Sequence, residues 1–151
     1  MQSHNQPVIE REASVETLNS LMRGELAAAE TYRHAIERLG GDVSVDLKTC
    51  LQSHDHRATR LAEHIALAGG TPVSGSGVWG AFARLVEGSA ALIGPRALYA
   101  ALEEGEDQGL TDYRAALDRV DSAGLTLVRG ELLLEQIRTH GLMSSLCRRS
   151  A

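Results

Sequence analysis

"RGELAAAETYRHAIER", residues 23–38, sits on a helical seam in which two polar residues stand where apolar ones are expected. Positions 18, 21, 25, 28, 32, 35 and 39 recur three and four apart, the spacing that keeps side chains on one helix face. Leu18, Leu21, Ala28, Ala35 and Leu39 make that face apolar, yet Glu25 and Tyr32 share it. Residues 104–119, "EGEDQGLTDYRAALDR", restate the pattern. Gly24-Glu25 matches Gly105-Glu106, Tyr32-Arg33 matches Tyr113-Arg114, and Arg38 matches Arg119, each 81 residues apart. Glu106 and Tyr113 fall on the seam of Tyr99, Leu102, Gly109, Ala116 and Val120. Leu51 with Leu132, His54 with Glu135, Arg57 with Arg138, Leu61 with Leu142 and Ile65 with Leu146 extend the correspondence, which suggests a duplicated helical hairpin.

Working outward, the pattern predicts four long helices near residues 14–39, 43–68, 95–121 and 124–146. Ser14 is a suitable N-cap for the first. Gly40-Gly41 and Gly69-Gly70 stop the first two, and Pro95 suits the first turn of the third. Residues 1–13 read as a disordered tail, and residues 14–147 as one domain. The connection 69–94 opens with "TPVSGSG" and holds a short amphipathic helix near 78–91, with Trp79, Phe82 and Val86 on one side. Short turns make each hairpin antiparallel, and the long middle connection crosses the bundle. Trp79 and Phe82 are read as capping it, with a dimer contact as the sharper alternative.

The composition agrees. The 151 residues are 43% hydrophobic but only 3% aromatic, so the core has to be built from Leu, Ala, Ile and Val. A net charge of −5 without a basic cluster argues against a nucleic-acid partner. The N-terminus lacks the apolar segment of a signal peptide, and no apolar run reaches the ~18 residues of a membrane span. Two cysteines, Cys50 and Cys147, with no metal-knuckle spacing fit a reducing, cytoplasmic setting. A bacterial host is assumed.

On the second helix the seam takes in His54 with Arg57 beside it, and Glu135 and Arg138 hold the matching places on the fourth. All four helices thus aim polar side chains at one level of the core. A buried carboxylate is costly unless it is paired or binds a metal. Two solutions are open. Glu25, His54, Glu106 and Glu135 surround one or two metal ions, or Arg57 and Arg138 neutralise the three glutamates through charge-assisted hydrogen bonds. Tyr32 and Tyr113 serve either as redox residues or, more simply, as anchors for the carboxylates. Gln52 with His56 and Gln136 with His140 repeat at four-residue spacing and are read as solvated, with a surface metal site as the sharper reading.

The four helices, the crossover and the inward glutamates on helices one and three resemble the ferritin-like superfamily, which includes rubrerythrin and bacterioferritin. The Gly-Glu…Tyr-Arg pairs and "SGSGVWGAF" resemble a bacterial domain-of-unknown-function family within it. The resemblance covers residues 14–146 and implies an all-α, antiparallel four-helix bundle. It would bring iron or manganese if the ligands were intact. They are not: di-iron members carry Glu-x-x-His on helices two and four, whereas this chain has His54-x-x-Arg57 and Glu135-x-x-Arg138. The reading is therefore a ferritin-like bundle with a degenerate internal site, structural or binding rather than catalytic. It has no cofactor and forms a homodimer or small homo-oligomer. The alternative is a di-metal carboxylate protein with oxidase or metal-storage activity.

Overall fold

The computed structural model describes residues 6–76 and 94–151. Helix α1 spans Gln6–Leu39, α2 Val45–Leu67 and α3 Pro95–Ala116. The fourth arm starts as α4 (Ser122–Leu127), passes through one π-helical turn (Val128–Leu132) and continues as α5 (Leu133–Arg149). The result is an all-α, ferritin-like four-helix bundle. The short helix expected near 78–91, with Trp79, Phe82 and Val86, lies outside the described residues, as does the start of the expected tail.

Local chemistry sets most of the ends. Gly40 takes φ +68°, a left-handed conformation that lets the chain leave α1. The Ser44 hydroxyl accepts from the Asp46 N–H to start α2, and the Asp121 carboxylate accepts from the Gly124 N–H to start α4. Pro95 opens α3 in the first turn, where its missing N–H has no helical partner to lose.

The ends of the second and fourth helices shift by one to three residues from the sequence reading, to Val45–Leu67 and residues 122–149, and two other ends shift further. Helix α1 begins at Gln6, not Ser14, since nothing between the first-turn Pro7 and Ser14 breaks a helix. Ser14 is instead buried, and its hydroxyl accepts from the Asp121 N–H at 3.0 Å, tying α1 to the start of the fourth arm. Helix α3 closes at Ala116 rather than 121, because Asp121 is taken as the cap of the next helix.

Helix α1 packs on α2 and α3, and the fourth arm packs on α3 and α2. Two apolar clusters fill the interior. One gathers Leu18, Leu21, Leu61, Ile65, Ala116, Val128 and Leu132, and the other gathers Ala35, Leu47, Cys50, Leu98, Leu102, Met143 and Leu146. Tyr113 belongs to the first and Tyr32 to the second. The polar layer lies between them, away from both ends of the bundle. Asn19 holds the start of the connection after α2, donating to the Thr71 carbonyl and accepting from the Val73 N–H, both at 3.0 Å.

Candidate functional site: a buried carboxylate–imidazole–guanidinium network

The network starts from Glu25 on α1 and Glu106 on α3, both buried. Their places on the seams send them inward, and the tyrosines seven residues further along each helix reach across to the opposite acid. Tyr113 donates to Glu25 Oε1 at 2.5 Å, and Tyr32 donates to Glu106 Oε1 at 2.7 Å. Each helix therefore supplies one acid and one phenol, and the bonds are exchanged between helices.

His54 on α2 stands between the two carboxylates. Its Nδ1 is 2.6 Å from Glu25 Oε2 and its Nε2 is 2.9 Å from Glu106 Oε1. An ionised carboxylate only accepts, so both ring nitrogens have to donate, and the imidazole is held as the imidazolium. Burial pushes the His54 pKa down and nearby Arg57 opposes the charge, but Glu25 and Glu106 outweigh both and leave it above its ordinary value. The Tyr32 ring lies 5.2 Å from the imidazole, centroid to centroid.

Arg57, one helical turn on, is fully buried. Its Nη1 lies 3.2 Å from Glu25 Oε1 and donates to Gln136 Oε1. Its Nε donates to the Ser53 carbonyl at 3.3 Å, and Nη2 donates to the Thr139 hydroxyl at 3.3 Å. Nη2 also passes 3.0 Å from His54 Nδ1, whose proton is directed to Glu25. The guanidinium lies 5.8 Å from the Tyr113 ring centroid.

Gln136 and Thr139 close the shell from α5. The Gln136 amide donates to the Glu106 carbonyl at 2.9 Å and to Glu106 Oε2 at 2.8 Å, and Thr139 donates to the same Oε2 at 2.8 Å. Gly109 makes room: a Cβ there would stand 2.7 Å from Gln136 Nε2. Two carboxylates thus face one imidazolium and one guanidinium, and the layer is neutral. Burial would raise both acids. For Glu25, Arg57 and His54 reverse this and leave its pKa lowered; for Glu106, His54 and the hydroxyl donors bring it to about 2. Burial first, then the adjacent carboxylates, push Tyr32 and Tyr113 well above the ordinary phenol range, so both remain neutral donors. Burial raises the Cys50 thiol to about 12, which leaves it unreactive. Among the described residues, no buried side-chain nitrogen or oxygen lacks a partner. A cleft of about 20 Å³, room for one water, reaches Glu25 and His54 between Gly24 and Ala28 of α1 and Gly105 and Gly109 of α3.

Of the site residues expected from sequence, Glu25, Tyr32, His54, Arg57, Glu106 and Tyr113 come together. Glu135 and Arg138 do not. Glu135 stays on the rim, accepting from Ser53 at 2.8 Å and from Arg138 Nη2 at 2.7 Å, and the Arg138 side chain is 46% exposed. The π-helical turn is the cause. Its wider ring advances each residue by a smaller angle than an α-turn. Side chains beyond it therefore lag, and the inward series becomes Leu132, Gln136, Thr139, Met143 and Leu146, with Leu142 only half-buried. The missed pair, Gln136 and Thr139, left one signal in the sequence: both are uncharged, and so cheaper to bury than Glu135 and Arg138. The residues of the surface-site reading separate too. His56 stands 3.4 Å from Glu131, His140 stands 2.6 Å from Asp107, and Gln136 is buried. Among the described residues, no three His, Cys, Asp or Glu side chains are arranged to hold a metal ion, and no helix is long and apolar enough to cross a membrane.

Comparison with known proteins fits this architecture. Residues 13–119 match the family described as Domain of unknown function (DUF2383), and the chain belongs to it. The fold is similar to that of a solved structure from Bacillus anthracis str. Ames described as ferritin-like, diiron-carboxylate proteins. The TM-score is 0.68 at 16% identity, over 91% of this chain and 97% of that one. No curated protein matches the chain.

Proposed function

We propose that this DUF2383 protein is a non-catalytic structural or binding bundle, in which fixed side-chain cations stand where a di-metal member of the fold carries ions. The supporting observation is the position of His54 and Arg57. A di-metal bundle draws one Glu from each of two helices and Glu-x-x-His from each of the other two. With the register of the fourth arm as observed, the corresponding pairs are His54-x-x-Arg57 and Gln136-x-x-Thr139. Glu25 and Glu106 are of ligand type, but each already accepts from His54 and from a tyrosine. Arg57 has no lone pair to offer and repels a cation. This donor set does not fit a di-metal centre. The charge of the carboxylates is met instead by the imidazolium and the guanidinium, a closed arrangement that favours a role in holding the bundle rigid for contacts made on its surface. The two free cysteines, one of them buried, support a reducing cytoplasmic setting.

The test is elemental analysis of untagged protein purified without chelator, with Glu25→Ala and Glu106→Ala alongside. The expected result is no stoichiometric iron or manganese, with both variants destabilised by about 3–5 kcal/mol as buried cations lose their partners. About one or two metal equivalents, lost in both variants, would replace this reading with the di-metal oxidase or storage alternative.

A further inference from the structure

The outward face of the fourth arm carries a stripe that the described residues leave largely open to solvent. Thr126, Gly130, Leu134, Ile137, Gly141 and Ser145 follow one another at helical spacing on that face. Leu134 is 58% exposed and Ile137 46% exposed. Among the described residues, a Cβ added at Gly130 or Gly141 would meet nothing within 4 Å, so their packing requires neither glycine, although glycine within a helix lowers its stability. The stripe is also palindromic about the point between residues 135 and 136: leucine mirrors isoleucine, glycine mirrors glycine, and threonine mirrors serine.

We infer that this face docks a second copy of the chain, fourth arm against fourth arm, antiparallel about a two-fold axis near residues 135 and 136. A two-fold interface has to be self-complementary, which a palindromic stripe satisfies. Leu134 of one copy then packs on Ile137 of the other, and Gly130 faces Gly141, letting the backbones approach closely. The charges agree. Glu131, Glu135 and Arg138 lie on one flank of the stripe, their side chains 35%, 33% and 46% exposed. Within one copy Arg60 donates to Glu131 and Arg138 to Glu135; in an antiparallel pair the same flanks meet, and Arg138 of one copy stands level between Glu131 and Glu135 of the other, which extends these pairs across the axis. A single pair of helices buries less than the ~1,200 Å² of a standard stable interface, so the dimer is weak and forms reversibly.

Sedimentation velocity of the full chain over a concentration series tests this, beside Ile137→Glu and Gly141→Gln. Wild type should show a concentration-dependent dimer, and each variant should weaken it by about tenfold or more. Gly141→Gln should also raise the thermal stability of the dilute monomer, because glutamine favours the helix and its Cβ meets no described atom within 4 Å. That gain separates a lost interface from a damaged fold. A wild-type chain that stays monomeric throughout, or a dimer unchanged in both variants, would overturn the inference.

Discussion

Arg57 shows what one residue does in this core. It is fully buried, and its guanidinium faces Glu25, Gln136, Thr139 and the Ser53 carbonyl together. Removing it leaves Glu25 with one cation where it had two. Arg57→Met should therefore cost about 3–5 kcal/mol in urea unfolding, the range for breaking a buried pair from one side. Arg57→Lys should recover only part, since an ammonium cannot span the same set of acceptors. A loss within ~1 kcal/mol for Arg57→Met, the usual value of an exposed pair, would mean that the guanidinium is not needed to balance Glu25. Glycines separate in the same way. Gly109→Ala brings a Cβ against Gln136 and displaces its amide from Glu106, so a net loss of about 1–3 kcal/mol is expected. Gly141→Ala meets open space and should stabilise by up to about 1 kcal/mol. Thermal unfolding at low protein concentration reads both.

Periodicity alone placed Glu25 and Tyr32 on α1 and Glu106 and Tyr113 on α3, because an unbroken α-helix carries one register along its length. The same held for His54 and Arg57 on α2. The fourth arm broke the rule. Its π-helical turn at Val128–Leu132 shifts every later side chain, and an apolar pattern carries no mark of where such a turn will form. Glu135 and Arg138 were thus exchanged for Gln136 and Thr139, which replaced an acid and a base by an amide and a hydroxyl at the centre. The start of α1 was missed for another reason: Ser14 has the chemistry of an N-cap, but its hydroxyl serves Asp121, a partner 107 residues away that local sequence does not reveal. The π turn can be tested on its own. Such a turn behaves as a one-residue insertion, so deleting Gly130 should leave a continuous α-helix with Gln136 and Thr139 still inward. Cooperative unfolding should survive the deletion, and loss of the cooperative transition would show that the turn itself is required.

At the scale of the whole molecule, two apolar clusters enclose a neutral polar layer, and the stability of the bundle is linked to the protonation of that layer. Glu106 has its pKa lowered to about 2. Its contribution is present above the ordinary carboxylate range and is lost as pH falls toward about 2, because the unfolded chain takes up the proton first. His54 acts in the opposite direction. Its raised pKa means that the folded chain keeps a proton the unfolded chain has released, so its contribution is complete below about pH 6.5 and declines as pH rises through the folded value. Stability should be greatest in mildly acidic solution and fall on both sides, measured as urea midpoint against pH. His54→Gln should remove the alkaline decline and also make the acid limb shallower, because His54 is the main group holding the Glu106 pKa down. The most direct test is histidine-selective ¹⁵N NMR of the folded protein from pH 6 to 9. His54 is predicted to show two protonated ring nitrogens that persist above the pH at which a free imidazole has lost one. A His54 ring with a single N–H, titrating at or below the ordinary value, would contradict the buried cation on which the neutral core depends.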